Sequence, residues 1–198
     1  MQRDQFSNAS TVATRIAAGD DRTTYDRISI VLHWTTATLV VVQFLLAQIW
    51  SLTPRPTRHL MIVTHMSLGI VLTAVLIARI GWRLSPGHRA PPGEVGWIEH
   101  AARTVHYLLY VLLASEAVLG FVLRWSGNES MSFFGLQLAP PFPPFRKATN
   151  HSVGEAHDFI AWTIIVFSGC HAAAALFHHF FLRDNVLMRM LPGIKRRQ

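Results

Sequence analysis

The sequence contains a single cysteine, Cys170, in 198 residues. One thiol cannot form an internal disulfide, so a disulfide framework does not hold the fold together. Charged residues are also scarce: they make up 15% of the chain, against about 25% in ordinary soluble domains. Apolar residues make up 51%. This combination argues against a typical soluble protein and indicates a chain that lies in a membrane.

Four long apolar runs account for that composition. Crossing about 30 Å of hydrocarbon requires about 20 helical residues. Runs of this length extend over Ile28 to Trp50, Leu60 to Leu84, Ile98 to Arg124 and Ser152 to Leu182. The three segments between them are rich in proline, which favours turns and loops. The sequence therefore predicts an all-α integral membrane protein with a bundle of four transmembrane helices.

Lysine and arginine are distributed unevenly along this pattern. With four spans, the N-terminus, the second connection and the C-terminus share one face, and that face receives most of the basic residues. The positive-inside rule then predicts that both termini are cytoplasmic. We expect a polar N-terminal arm over 1–26 that is not a signal peptide, a four-helix domain over 27–192, and a basic tail over 193–198. The net charge of +7 fits this topology and anionic lipid, and no basic surface with interleaved aromatic residues suggests nucleic acid.

Several of the eleven histidines fall inside the predicted spans. An ionisable residue inside a membrane helix is unfavourable, and it usually faces the interior of the bundle for a functional reason. His157 and His171 are about four helical turns apart on the fourth helix, so they point the same way at two depths. By depth, His65 on the second helix pairs with His157, and His33 on the first helix pairs with His171.

Two stacked pairs of histidines on facing helices are suited to two flat, six-coordinate haem irons. No Cys-x-x-Cys-His motif occurs, so the haems are expected to be non-covalent and of b type. Gly69 and the run Ala172 to Ala175 leave space for a macrocycle, although small residues also serve ordinary helix packing. Two other interpretations of these histidines stay open. One is a zinc or copper site, which favours ligands at one depth, and the other is a purely structural role. His106 is a competing inner ligand or makes a helix-bridging hydrogen bond.

Six segments carry a resemblance to a known family: Ile30 to Trp34, His65 to Gly69, Ala78 to Leu84, His106 to Tyr110, Phe133 to Leu136 and, most specifically, His171 to Pro192. Over about Tyr25 to Pro192 the chain resembles the bacterial cytochrome b561 family of di-haem, quinone-linked membrane cytochromes, and within it the superoxide oxidase type. The resemblance implies that His33, His65, His157 and His171 ligate two haems b in a bacterial inner membrane. It also implies that superoxide is oxidised at the outer haem and that ubiquinone is reduced, with protons taken from the cytoplasm.

Other side chains are candidates for supporting roles. At the outer face, Arg124, Arg146 and Lys147 are candidates for attracting superoxide, and the alternative is contact with haem propionates or lipid phosphates. At the inner face, Arg79 and Arg83 are candidates for binding propionates, and headgroup anchoring is the alternative. His178 and His179 are candidates for passing protons to the quinone, or for simple interfacial placement. The loop over Trp125 to His151 is expected to fold over the outer haem.

Glu116 departs from the family pattern, which is apolar at this depth of the third helix. The carboxyl group is expected to be protonated or paired, because a bare carboxylate there is unfavourable. Its options are a hydrogen bond to a neighbouring helix, a role beside the haem, or proton handling. An ionised Glu116 opposes an anionic substrate. The resemblance also leaves an alternative to an enzyme, because relatives serve as cytochrome subunits of dehydrogenases: an electron-transfer subunit that relays electrons from a partner dehydrogenase to quinone. A histidine-based transporter is a third hypothesis.

Overall fold

Four helices dominate the computed structural model, which describes residues 25–85, 97–184 and 187–191. They are α1 (Arg27–Ile49), α2 (Arg55–Leu84), α3 (Trp97–Ser126) and α4 (Lys147–Phe177). All four are long and apolar enough to cross a membrane. The predicted four-helix membrane fold is therefore confirmed. The predicted arm lies outside the described residues except for its last two positions, and the tail over 193–198 lies outside them entirely, so both stay predictions.

The helix starts differ most from the sequence-based bounds for α2 and α4. Helix α2 begins at Arg55 and α4 at Lys147, five residues before the apolar run in each case. Hydropathy marks the lipid-facing part of a helix, whereas the helix continues into the interface. Pro56 does not prevent this, because proline is tolerated in the first turn, where the backbone N–H has no partner within the helix. Helix α1 begins where Asp26 caps it, accepting from Ser29 N at 2.9 Å.

The helices associate as two antiparallel pairs, α1 with α2 and α3 with α4, which enclose a central space. Ile30, Leu76 and Ile164 are buried between them. Large apolar side chains on the outside are exposed, for example Val111 at 62% and Phe159 at 72%. Such a surface is stable in contact with lipid chains, which are as apolar as these side chains.

A short β-hairpin occupies the predicted loop between α3 and α4. Strand β1 (Met131–Phe133) pairs antiparallel with β2 (Leu136–Leu138). The turn residues Phe134 and Gly135 both have positive φ, 46° and 96°. Turns with positive φ at both central residues are common in two-residue hairpins, because their twist matches that of the flanking strands. The buried Ser67 of α2 accepts a hydrogen bond from Phe134 N at 3.0 Å, so the hairpin is tied to the bundle. We call this end of the bundle the hairpin end.

The opposite end, where α1 begins and α4 finishes, is called the terminal end. Helix α4 widens into a π-helical turn over His178–Leu182 and stops at Arg183, which has the left-handed φ of 53°. A short 3₁₀ turn follows at Met188–Met190. Trp34 Nε1 donates to Met190 O at 2.7 Å, which fixes this returning segment against α1.

Candidate functional site

A cavity of about 700 Å³ lies between the four helices towards the hairpin end. Ligand pockets in proteins span about 300–1,000 Å³, so the space is sufficient for a bound cofactor. The cavity is lined mainly by apolar side chains, and by His65, Glu116 and His157. Met131 of the hairpin and Glu129 also line it. The segment between α3 and α4 therefore forms part of the cavity wall.

His65 and His157 face each other across this cavity. Each lies about ten residues, or about 15 Å, into its helix from the hairpin end, and their ring centroids are 6.5 Å apart. Imidazole nitrogens bind first-row metals at about 2 Å, so two rings on opposite sides of one iron have centroids about 6 Å apart. The spacing of His65 and His157 fits one iron between them. The depth argument from the sequence brought together the same two residues.

Two glycines beside the cavity leave room for side chains of neighbouring helices. A Cβ on Gly120 of α3 would lie 3.4 Å from Cε1 of His157. A Cβ on Gly69 of α2 would lie 3.0 Å from Nε2 of Gln43, which donates to His65 O at 3.0 Å. Gly69 was singled out in the sequence. Gly120 and Gln43 were not, because their importance depends on the side chain that a neighbouring helix presents to them.

Glu116 lies beside His157, with its Oε1 3.0 Å from Nδ1 of the imidazole. Both side chains are largely buried, at 18% and 23% exposure. This distance is within hydrogen-bonding reach, but the N–H does not point along it, so a rotation of the ring is needed to align the two groups. The carboxyl group thus lies within reach of a side chain on the neighbouring helix α4, and the expected hydrogen bond stays a prediction.

The terminal end holds a second group of histidines. His171 of α4 has its ring 4.9 Å from that of His106 of α3, in an edge-on arrangement. His33 of α1 is within electrostatic range of both. Arg79 Nη2 donates to His33 Nδ1 at 2.9 Å, and its guanidinium lies 5.2 Å from the ring of Tyr110. His33, Arg79 and His171 therefore lie in the same region at the terminal end, together with His106.

The sequence left His106 as either an inner ligand or a helix-bridging residue. A centroid separation of 4.9 Å is shorter than the roughly 6 Å that an iron between two imidazoles requires. His106 and His171 are thus in direct ring contact across the α3–α4 interface, and a helix-bridging hydrogen bond of His106 stays a prediction. Among the described residues, no group of three or more histidine, cysteine or acidic side chains is placed to hold a metal ion alone. Paired ligands to a flat macrocycle fit this arrangement better than a zinc or copper cluster.

The remaining candidate cations differ in their surroundings. Arg124 forms an ion pair with Glu129 and its Nε donates to Ser130 O at 3.2 Å. Arg146 and Lys147 stand exposed at the start of α4. Arg83 lies over Tyr107 and Tyr110, at 5.8 and 6.0 Å. The sequence did not predict this ion pair, because Glu129 is brought close to Arg124 by the turn that follows α3.

His178 is paired with Asp184 at the terminal end. The contact exists because the π-helical turn and the left-handed Arg183 fold the chain back, and Asp184 N also donates to His178 O at 3.2 Å. His179 is oriented differently, with its ring 4.9 Å from that of Phe180. A histidine with a carboxylate neighbour is a reasonable proton carrier, and this pairing distinguishes His178 from His179.

Comparisons with known proteins relate this chain to one family. The model of the prokaryotic cytochrome b561 family matches residues 24–193. Cytochrome b561 homolog 2 of Escherichia coli (strain K12) is 32% identical over 171 residues, which cover 84% of this chain and 90% of that protein. Cytochrome b561 homolog 1 of the same strain is 31% identical and covers 86% and 98%. A protein of Yersinia pestis named probable superoxide oxidase CybB is 27% identical and covers 85% and 96%.

Proposed function

This chain belongs to the prokaryotic cytochrome b561 family, and from that premise we propose that it oxidises superoxide to dioxygen and reduces ubiquinone through two b-type haems. Family membership makes it a membrane electron-transfer protein with b-type haem. The number of haems, the substrate and the acceptor are the proposal. We further place the protein in the bacterial inner membrane, with the hairpin end at the periplasmic face and both termini in the cytoplasm.

The observation that carries the proposal is the facing pair of His65 and His157, with ring centroids 6.5 Å apart in a cavity of about 700 Å³. These two side chains would hold one haem. His33 and His171 at the terminal end would hold the other, with Arg79 and Arg83 beside them for its propionates. When bound, the haems would supply one-electron transfer between the two membrane faces.

One contact at the terminal end must change for this to happen. A guanidinium only donates hydrogen bonds, so Nδ1 of His33 accepts from Arg79 and the neutral ring carries its proton on Nε2. Coordination through Nε2 of a neutral imidazole requires the opposite tautomer. Arg79 would then release Nδ1, and its charge would become available to a carboxylate.

The proposed reaction couples two superoxide anions to one ubiquinone. Two superoxide anions each lose one electron and leave as dioxygen, and ubiquinone gains two electrons and two protons to become ubiquinol. At the hairpin end, the exposed Arg146 and Lys147 would attract the anion. At the terminal end, His178 with Asp184, and His179, would pass protons from the cytoplasm towards the quinone.

Support for superoxide as the substrate comes from the 27% identical relative whose name is probable superoxide oxidase. The two relatives above 30% identity are named only as cytochrome b561 homologs. A second function is favoured by Glu116, since a carboxylate in the hairpin-end cavity would oppose a small anion. This second candidate is an electron-transfer subunit that takes electrons from a partner dehydrogenase and delivers them to quinone.

Anaerobic stopped-flow spectroscopy of the purified chain separates the two functions. We expect superoxide alone to reduce the haems rapidly and excess ubiquinone to reoxidise them. If ubiquinol reduces the haems and superoxide does not, the chain is an electron-transfer subunit. The His157→Ala variant is the control, because it should lose the hairpin-end haem and with it the fast reaction with superoxide.

A further inference from the structure

Glu116 and His157 form a buried carboxylate–imidazole pair on one wall of the hairpin-end cavity. Their closest atoms, Oε1 and Nδ1, are 3.0 Å apart. The pair joins α3 to α4, which pack closely against each other. Gly120 is one turn after Glu116 on the same face of α3, and the His157 ring lies over it. Glu116 and Gly120 together therefore define where the imidazole lies.

The opposite wall of the cavity has no equivalent of this pair. Nδ1 of His65 has no hydrogen-bond partner within the part of the chain that the structure describes; Nδ1 of His157 has no aligned one either, but Oε1 of Glu116 lies 3.0 Å from it. The other carboxyl oxygen of Glu116, Oε2, likewise has none there. A buried carboxyl group with an unpaired oxygen is unfavourable for folding, so packing alone does not explain its presence in a membrane helix.

A carboxylate beside a metal-binding histidine has a known physical effect. When it accepts a hydrogen bond from the ring nitrogen that does not bind metal, it fixes the tautomer and ring orientation and makes the ligating nitrogen more basic. A more basic ligand and a nearby negative charge both stabilise ferric iron more than ferrous iron. The midpoint potential of the haem is then lower.

We propose that Glu116 is a positioning residue for His157, which directs Nε2 of that imidazole to the iron and lowers the midpoint potential of the hairpin-end haem. This inference rests on the proposed function, since it requires a haem between His65 and His157. A lower potential at this site would favour passage of the electron from the hairpin-end haem to the terminal-end haem.

Other charged groups around the cavity do not replace Glu116. Arg124 is paired with Glu129, and Asp158 follows His157 on α4. Of these residues, Glu116 is the one whose carboxyl oxygen is placed beside the imidazole nitrogen. Substitution of Glu116 should therefore affect one haem and leave the other unchanged.

Redox titration of the purified protein, with both haems followed by absorbance, tests the proposal. We expect Glu116→Gln to shift the reduction equilibrium of one haem at least tenfold towards the ferrous state, which is 59 mV for a one-electron couple. The affected haem should be the one that His157→Ala removes. Glu116→Asp, which keeps the charge, should restore part of the lower potential.

The exposed pair of His151 and Glu155, 3.5 Å apart on the first turns of α4, supplies a matched control. Glu155→Gln removes the same charge from the same kind of pair and should leave both potentials unchanged. Equal potentials in Glu116→Gln and the unsubstituted protein, with both haems retained, would overturn the proposal. Loss of the haem in both Glu116→Gln and Glu116→Asp would also overturn it, since that result indicates a packing role.

The same experiments distinguish this inference from the proposed function. If His157→Ala retains both haems, the assignment of the haem ligands is wrong, and the role of Glu116 falls with it. If His157→Ala loses one haem while Glu116→Gln does not change its potential, the ligand assignment stands and only the role of Glu116 is rejected. Electron paramagnetic resonance of the ferric protein gives an independent readout, since the strength of the axial ligand changes the low-spin signal.

Discussion

Arg79 of α2 donates a hydrogen bond to Nδ1 of His33 on α1, with 2.9 Å between the two nitrogens. The guanidinium also lies over the ring of Tyr110 on α3, so it connects three of the four helices at the terminal end. A cation this far inside a membrane helix requires partners. Its present partners are an imidazole and an aromatic ring, and a haem propionate would be a stronger one.

The first prediction concerns this arginine. Arg79→Ala should reduce the occupancy of the terminal-end haem, because the variant lacks the charge that would pair with a propionate. The haem content of the purified protein, measured as pyridine haemochrome, should fall from about two towards one per chain. Arg27→Ala, an exposed arginine at the start of α1, is the control and should keep both haems. Full occupancy in Arg79→Ala would show that this arginine does not hold the cofactor.

The second prediction separates His33 from His106 as the partner of His171. The 4.9 Å contact between His106 and His171 leaves too little space for an iron between those rings. His33→Ala should therefore abolish the low-spin spectrum of the terminal-end haem, whereas His106→Ala should retain it. Absorbance spectroscopy of the two variants, expressed and purified in parallel, gives the answer. If His106→Ala loses this spectrum and His33→Ala retains it, the second ligand at the terminal end lies on α3.

The third prediction uses a glycine in contact with a proposed ligand. Gly120→Ala places a methyl group 3.4 Å from Cε1 of His157 and should displace the ring, so that the hairpin-end haem binds several-fold more weakly. Gly81→Ala is the matched control, because a Cβ at Gly81 meets nothing within 4 Å. That substitution should stabilise α2 by about 0.5–1 kcal/mol through helix propensity. Haem titration and thermal unfolding in detergent measure the two effects, and equal haem affinities in both variants would contradict this account.

The fourth prediction concerns the attachment of the β-hairpin. Ser67→Ala removes the hydroxyl that accepts from Phe134 N at 3.0 Å and contacts Ser132 O at 3.3 Å. Loss of this group should lower the free energy of unfolding by about 1 kcal/mol and expose the hairpin to proteases. Thr73→Val is the control, since the Thr73 hydroxyl donates to Gly69 O within α2. Hairpin cleavage at the same rate in both variants would show that Ser67 does not anchor it.

The fifth prediction addresses the attraction of superoxide. Replacement of Arg146 and Lys147 by glutamine should lower the second-order rate of haem reduction by superoxide about tenfold and flatten its dependence on ionic strength. Replacement of both Arg124 and Glu129 by glutamine should have a smaller effect, because their ion pair carries no net charge. Stopped-flow measurements over a range of salt concentrations provide the comparison. An unchanged salt dependence in the double variant would mean that these cations do not steer the substrate.

Much of the fold followed from local properties of the chain. Apolar runs of about 20 residues predict membrane helices because lipid satisfies no backbone hydrogen bond, and a helix satisfies its own. The helix starts were less predictable, since Arg55 and Lys147 lie outside the apolar runs. The β-hairpin was missed because its strands, Met131–Phe133 and Leu136–Leu138, are too short for a period-two pattern to be recognised.

The sequence by itself determined the four membrane helices and the depth of His33, His65, His157 and His171, because hydrophobicity and helical rise depend only on the order of residues. Tertiary structure decided which side chains meet. It brought Glu116 and Gly120 next to His157. It also produced the hydrogen bond between Arg79 and His33 and the ring contact between His106 and His171. The ion pairs that it formed are Arg124 with Glu129 and His178 with Asp184. The reason is physical: periodicity gives the face and depth of a residue on its own helix, whereas its neighbours depend on how the helices rotate and pack against one another.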